Sequence, residues 1–295
     1  MEDGLFEKDP TWLFVINPKS GPDTVDFKSQ ILLYFEGKRS GIEFFEIQSY
    51  CEPADLKRVV MAHNPELVVA VGGDGTLKLV AESIFELPVQ LGIVPTGSAN
   101  GLAREMGIPS QLPHALEILE KENTLKIHLI RINDQLCIHL ADIGLNAFLV
   151  KKFEQNQKRG LWGYLLAALK AFWKRYRMQF DLELDGEKLH FHAFMLVFAN
   201  ATRYGTGAWI NPIGRLDDDQ FEVVVIRRIS LLDGIKLGLG LKSWEPKAIR
   251  VFQGQKLRLK LRRPVHFQVD GEYLGKVKEI KAELIPASLT VRVPA

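Results

Sequence analysis

The stretch ELVVAVGGDGTLKLVAESIF, residues 66 to 85, holds an apolar run, a glycine-rich loop and a segment of helical period, in that order. LVVAVG (67 to 72) does not alternate polar with apolar, so it reads as a strand buried on both faces. Strand, glycine loop and helix in succession are the opening of a parallel α/β unit. Working outward, WLFVIN (12 to 17), IEFFEI (42 to 47) and LGIV (91 to 94) read as further strands, with helical segments near 25 to 38, 54 to 63 and 76 to 86. That order predicts a parallel sheet with helices on its faces. Ligands of such sheets lie beyond the carboxyl ends of the strands, which here means after Asn17, Val71 and Val94.

Asp74 is the informative residue of the central loop. Glycines let a ligand approach the backbone, and a helix N-terminus favours negative charge. A bare carboxylate there would repel a phosphate unless a divalent cation lay between them, and magnesium usually combines one or two carboxylates with waters and phosphates. The loop lacks the lysine of a P-loop and the spacing of the dinucleotide fingerprint. The plain alternative is a tight turn in which Asp74 caps its own helix. Two companion loops favour a nucleotide: INPKSG (16 to 21) and VPTGSANGLARE (94 to 105) arrive at the same sheet edge, and a helix starting at Gly97 or Ser98 would offer free amides to a phosphate.

From about residue 125 the chain turns to longer β-rich runs, with hairpin signals at Asp185-Gly186 and Asp270-Gly271 and a helical excursion at about 147 to 176. An antiparallel sandwich or barrel is expected. The boundaries drawn are 1 to 125 for the α/β domain and 126 to 287 for the second. The formal net charge is only +2, which argues against a nucleic-acid partner, and Cys51 and Cys137 match neither a disulfide framework nor a zinc site. MEDGLFEKDP lacks a basic region followed by an apolar run, and LWGYLLAALKAFW is interrupted by Lys170, so a cytoplasmic protein is expected.

NPKSG, GGDGT, VPTGSANGLARE, RYGTGAWINPIGRLDDDQFEVVVI and FQVDGE, in this order, resemble the diacylglycerol kinase catalytic-domain family, with sphingosine kinases and more distantly NAD kinases as relatives. The resemblance covers nearly the whole chain. It implies an α/β Rossmann-like nucleotide-binding domain, an antiparallel β-sandwich domain and an active site in the inter-domain cleft, with LTVRV (about 288 to 293) returning to the first domain. Asn17, Ser20 and Gly21 would line the nucleotide pocket, with Gly72, Gly73, Asp74, Gly75 and Thr76 around the phosphates and Gly97, Ser98 and Asn100 completing it. The implied cofactors are ATP and Mg2+, with Asp74 at the metal, Asp270 and Glu272 as catalytic acids, and Asp217 and Asp218 at a second, structural metal. Two departures stand out: Gly101 replaces an acid common in bacterial members, and Asp219 replaces a glycine. The first brings the loop closer to the sphingosine kinase form.

Asp270 and Glu272 flank a glycine in HFQVDGEYLG, and phosphoryl transfer to a hydroxyl needs such an acid. Asp-Gly between alternating apolar residues is equally a plain hairpin turn, and LELDGEKLHF carries a second copy with Asp185 and Glu187. RGLWGYLLAALKAFWKRYR (159 to 177) combines apolar faces with a basic end, as contact with a membrane would need, or as a helix packed on the sandwich would. Asp142 is a candidate for holding a lipid headgroup, an acid standing at the similar place in sphingosine kinases. The expected activity is an ATP-dependent lipid kinase acting on a diacylglycerol-like or sphingoid-like membrane lipid, transiently at the membrane surface, with a homodimer left open. The alternatives are an NAD kinase, or a lipid- or nucleotide-binding protein of the same fold without the reaction.

Overall fold

The computed structural model describes residues 11–21, 25–48, 50–155, 177–203, 209–227 and 248–295. The chain divides into two units, one of Met1–Ile127 with Ser288–Ala295, the other of His128–Ala287. Apart from Arg177, the segment 159 to 177 lies outside the described residues.

In the first unit, β1 (Trp12–Ile16), β2 (Ile42–Glu46), β3 (Leu67–Gly72) and β4 (Gln90–Pro95) form a parallel sheet in the order β4-β3-β1-β2. β3 is central and is buried along its full length, which is why its sequence shows no alternation. The helices α1 (Phe27–Phe35), α2 (Pro53–His63), α3 (Asp74–Ile84), α4 (Gly101–Glu105) and α5 (Leu112–Glu120) connect the strands or follow them. α2 starts with Pro53 at a position where a missing N–H costs nothing, and it ends at Asn64 in the left-handed region. The chain's end also belongs here: Thr290 and Val291 pair in parallel with Gln90 and Leu91.

The second unit is antiparallel. β5 (Thr124–Ile132) leads into it, followed by β6 (Gln135–Cys137), β7 (Leu140–Gly144), α6 (Leu145–Gln155), β8 (Met178–Leu184), β9 (Glu187–Ala193), β10 (Met195–Ala199), β11 (Phe221–Ile226), β12 (Ile249–Gly254), β13 (Lys256–Val269) and β14 (Glu272–Arg292). β10 and β11 are buried on both faces. Leu196, Phe198, Phe221, Val223 and Val225 enter one core, while Met195, Val197, Ala199, Val224 and Ile226 enter another that α6 covers with Leu145 and Leu149. β13 belongs to two layers in turn. Its first half pairs with β8 from Leu257 to Leu261 and its last residues pair with β7 from Phe267 to Val269, with a register shift between Lys260 and Val265. A strand that changes partners through a bulge is how a β-sandwich turns its corner.

Candidate active site

The three loops predicted at the edge of the parallel sheet do meet. The Asn17 side chain donates from Nδ2 to Thr76 Oγ1 at 3.0 Å and accepts the Lys19 N–H at Oδ1 at 3.0 Å, tying the first loop to the start of α3. Thr96 Oγ1 donates to Ser20 Oγ at 2.9 Å, tying the third loop to the first. The second and third loops cross backbone to backbone. A Cβ on Gly97 would stand 2.6 Å from Gly73 Cα, and one on Gly73 would stand 3.3 Å from Gly97 Cα. Gly73 is extended, with φ −92° and ψ −168°, so what matters there is the missing side chain and not an unusual backbone angle. Gly72 leaves room for Thr76, whose Oγ1 would lie 2.3 Å from an added Cβ, and Gly21 packs against Phe27 and the Thr96 carbonyl. Gly75 is different, because among the described residues nothing outside its own stretch of helix lies within 4 Å of where its Cβ would be.

Asp74 is the first residue of α3, and the N-cap is Gly73, which has no side chain to cap with. Asp74 Oδ1 instead accepts the Gly101 N–H at 2.7 Å, joining the second loop to the start of α4. The reading in which Asp74 caps its own helix is therefore replaced by one in which it reaches across to the next. Among the described residues, no side chain caps the first turn of the eleven-residue α3, the condition that makes a helix start attractive to anions. The expected helix start at Gly97 or Ser98 is corrected: α4 begins at Gly101, because Asn100 takes the left-handed conformation at φ 50° and its Nδ2 donates to Gly97 O at 2.7 Å. Asn100 is 7% exposed and its Oδ1 has no hydrogen-bond partner among the described residues.

In the second unit the acids divide. Asp270 lies in the left-handed region at φ 49°, followed by Gly271 at φ 88°. Its carboxylate accepts three main-chain amides, those of Ile138 at 3.0 Å, His139 at 2.9 Å and Leu140 at 3.1 Å. Glu272 opens β14 and is exposed. Behind the turn runs a polar chain: Gly271 N–H donates to Gln268 Oε1 at 2.7 Å, Gln268 Nε2 donates to Asp142 Oδ2 at 2.5 Å, and Asn146 Nδ2 donates to the same oxygen at 2.6 Å. Asp142 is completely buried, and its carboxylate supports the turn from inside.

Asp217 and Asp218 do not form a ready metal cage. Arg215 holds Asp217 in a two-point grip, Nε to Oδ1 at 3.0 Å and Nη2 to Oδ2 at 3.2 Å, and this guanidinium lowers the carboxyl below its ordinary value. Asp218 Oδ1 accepts the Gln220 N–H at 3.4 Å. Among the described residues no group of three or more His, Cys, Asp or Glu is arranged to hold a metal. The expected structural metal therefore does not fit this turn, where an internal cation already compensates Asp217.

Residues 11–132 match the model of the diacylglycerol kinase catalytic domain, and residues 141–293 match that of the YegS C-terminal NAD kinase beta sandwich-like domain. The chain belongs to the diacylglycerol kinase catalytic-domain family. It is thus an enzyme of the kinase class with an alcohol group as acceptor. A curated relative, the probable lipid kinase YegS of Salmonella schwarzengrund, is 27% identical over 305 residues, covering 97% of this chain and 96% of that one. The crystal structure of a putative diacylglycerol kinase from Bacillus anthracis shares the fold with a TM-score of 0.76 at 19% identity, covering 97% of this chain and 98% of that one. An NAD kinase from Archaeoglobus fulgidus in complex with ATP is a more distant neighbour, with a TM-score of 0.56 at 13% identity, covering 96% and 93%.

Several residues of this family member escaped sequence reasoning. Thr96 and Gln268 lie inside VPTGSANGLARE and FQVDGE but, like Asn146, are uncharged and carry no local sign of the group each one bonds. Glu222 is fully buried on β11, where Asn211 Nδ2 donates to Oε2 at 2.6 Å and Gln253 Nε2 to Oε1 at 3.0 Å; burial nevertheless pushes its carboxyl up. The signal was a lone acid in FEVVVI, a run otherwise buried on both faces.

Proposed function

We propose that this chain is an ATP-dependent lipid kinase that transfers the γ-phosphate to the hydroxyl of a diacylglycerol-like or sphingoid-like lipid. The observation that carries the nucleotide half is the start of α3: uncapped amides, open space over Gly75, and an aspartate whose Oδ1 is fixed by Gly101 N–H. Phosphate oxygens suit the amides. Asn100 Oδ1, a buried acceptor without a partner, suits a donor such as a ribose hydroxyl or a bound water and not a phosphate.

Asp74 fits a magnesium ion arriving with the nucleotide, since such an ion needs only one or two carboxylates from the protein. When bound it would neutralise charge on the transferring group. No pre-formed cage is required for that, and the single fixed carboxylate is suited to it.

On the acceptor side, the carboxylate of Asp270 is already the acceptor of three amides and is assigned the task of holding the turn. Glu272, exposed at the first position of β14, is assigned as the general base that takes the proton from the lipid hydroxyl. Gln268, Asp142 and Asn146 keep Gly271 and hence Glu272 in place. Most of the rate enhancement would come from positioning and charge stabilisation, as is usual for phosphoryl transfer.

The test is transfer from γ-labelled ATP with magnesium to dispersed diacylglycerol, monoacylglycerol, sphingosine and phosphatidylglycerol, with NAD as a soluble acceptor and Asp74→Asn as the control. Label in the organic phase that disappears in Asp74→Asn is the expected result. Label in NAD, or none in any lipid, would overturn the reading.

A further inference from the structure

The outer face of the hairpin formed by β13 and β14 is strongly basic. Lys256, Arg258, Lys260, Arg262 and Arg263 on β13 and Lys276, Lys278 and Lys281 on β14 are all exposed. The acids available to them serve one half only. Lys256 pairs with Glu283 at 2.9 Å and Lys260 with Glu279 at 4.0 Å, while Glu183 and Asp181 of β8 lie in register with Arg258 and Lys260. Past Leu261 the compensation stops. Arg262, Arg263, Lys276 and Lys278 have no carboxylate within 4.0 Å among the described residues.

The bulge is what gathers them. The register passes from Lys260↔Glu279 to Val265↔Val277, so residues 261 to 264 stand against Lys278 alone. Pairing with β8 ends at Leu261 and pairing with β7 begins at Phe267, which leaves the Arg-Arg-Pro segment with no described strand on that side. Lys151 of α6 adds a further cation near this face, its ammonium 5.4 Å from the centre of the Tyr273 ring on β14. Like charges on neighbouring strand positions are destabilising, so folding alone gives no reason to collect them. The whole chain carries a formal charge of only +2, so the excess is local to this face.

We propose that this bulged face, centred on Arg262, Arg263, Lys276 and Lys278, is the surface by which the enzyme seats on an anionic lipid bilayer. The proposal rests on the lipid kinase reading for its purpose: Lys276 is four residues from Glu272 along the same strand, about 13 Å at the usual rise. Basic residues close to an anionic leaflet are attracted to its surface potential, and four fixed on one rigid hairpin add their attractions. Seating the hairpin there would bring the acceptor-side acid to the level at which lipid headgroups are presented.

The test is co-sedimentation with phosphatidylcholine vesicles with and without phosphatidylglycerol, at low and at physiological salt. It compares the wild type with Arg262→Glu/Arg263→Glu/Lys276→Glu/Lys278→Glu, and the double variant Lys276→Glu/Lys278→Glu with a charge-matched control, Lys38→Glu/Lys121→Glu. Expected are salt-sensitive binding to the anionic vesicles only, at least a tenfold loss in the fourfold variant, little change in the control, and unchanged transfer to a short-chain acceptor dispersed as monomers. Should the fourfold variant fail to fold, Lys276→Gln/Lys278→Gln takes its place, with a smaller loss in the same direction. Binding by the fourfold variant equal to wild type, or a wild type that prefers a DNA or RNA fragment to the vesicles, would overturn the proposal. Vesicle binding lost in the variant, with no phosphate transfer to any lipid by the wild type, would leave this surface standing and sink the lipid kinase reading alone.

Discussion

The turns at Asp185-Gly186 and Asp270-Gly271 are one backbone device used twice. The aspartates have φ 48° and 49°, the glycines φ 91° and 88°, as expected of the tight hairpin turn favoured by Asp-Gly. Each aspartate donates its N–H to a carbonyl of a neighbouring segment, Lys256 O at 3.0 Å or Leu140 O at 2.9 Å. Each gives its carboxylate to amides of that same segment. Asp185 accepts from Gln255 and Lys256, Asp270 from Ile138, His139 and Leu140. What differs is the backing. Behind Asp185 stands Leu184 in the apolar core; behind Gly271 runs the polar chain of Gln268, Asp142 and Asn146. Aspartate, glycine and glutamate recur in both turns, so what sets the second apart is the polar chain behind Gly271.

The largest expected contrast is between the glutamates that follow. Glu272→Gln should lower the initial rate of label transfer by a factor of about 100 or more, the usual worth of a general base. Glu187→Gln should leave that rate within twofold, by the reading that it ends a plain turn. Next come the carboxylates themselves: Asp270→Ala strands three part-buried amides and should cost about 1–3 kcal/mol in urea denaturation, whereas Asp185→Ala frees exposed amides to water and should cost less. Equal costs would break this contrast. Gln268→Ala, which opens the polar chain and leaves buried Asp142 with one donor fewer, should also cost about 1–3 kcal/mol and lower the transfer rate. Smaller still, Gly271→Ala and Gly186→Ala meet no atom but demand a left-handed alanine, so each should lose about 1 kcal/mol, and equally.

Glu222 provides a pH test in the same unit. Burial raises its carboxyl in the folded state, so its contribution is fully present below the unfolded value of about 4.3 and is lost as pH rises through the folded value. Urea midpoints of the wild type should fall across that rise, and the fall should be smaller in Glu222→Gln.

Much of the parallel sheet was legible because a strand covered on both faces must be apolar throughout, as LVVAVG and WLFVI are. The meeting of three loops followed from sheet geometry alone. The start of α4 was not legible, since it depends on Asn100 turning left-handed to bond Gly97, a local choice that competes with helix. Nor were the amide partners of Asp270, because they come from far along the chain, His139 being 131 residues away. The partner of Asp142 was hidden for the same reason: Gln268, which donates to it, is 126 residues distant. Charge and turn signals are local, whereas the acceptor of a hydrogen bond across a sandwich is fixed only by the register of the sheet.

The most direct measurement is the transfer rate of Asp270→Asn at saturating ATP and lipid, under conditions where urea titration shows it folded, beside Glu272→Gln. The account predicts that Asp270→Asn stays within about tenfold of wild type, because an amide oxygen still accepts part of the clip, while Glu272→Gln loses about 100-fold or more. A folded Asp270→Asn as inactive as Glu272→Gln would contradict it and return the base to the aspartate.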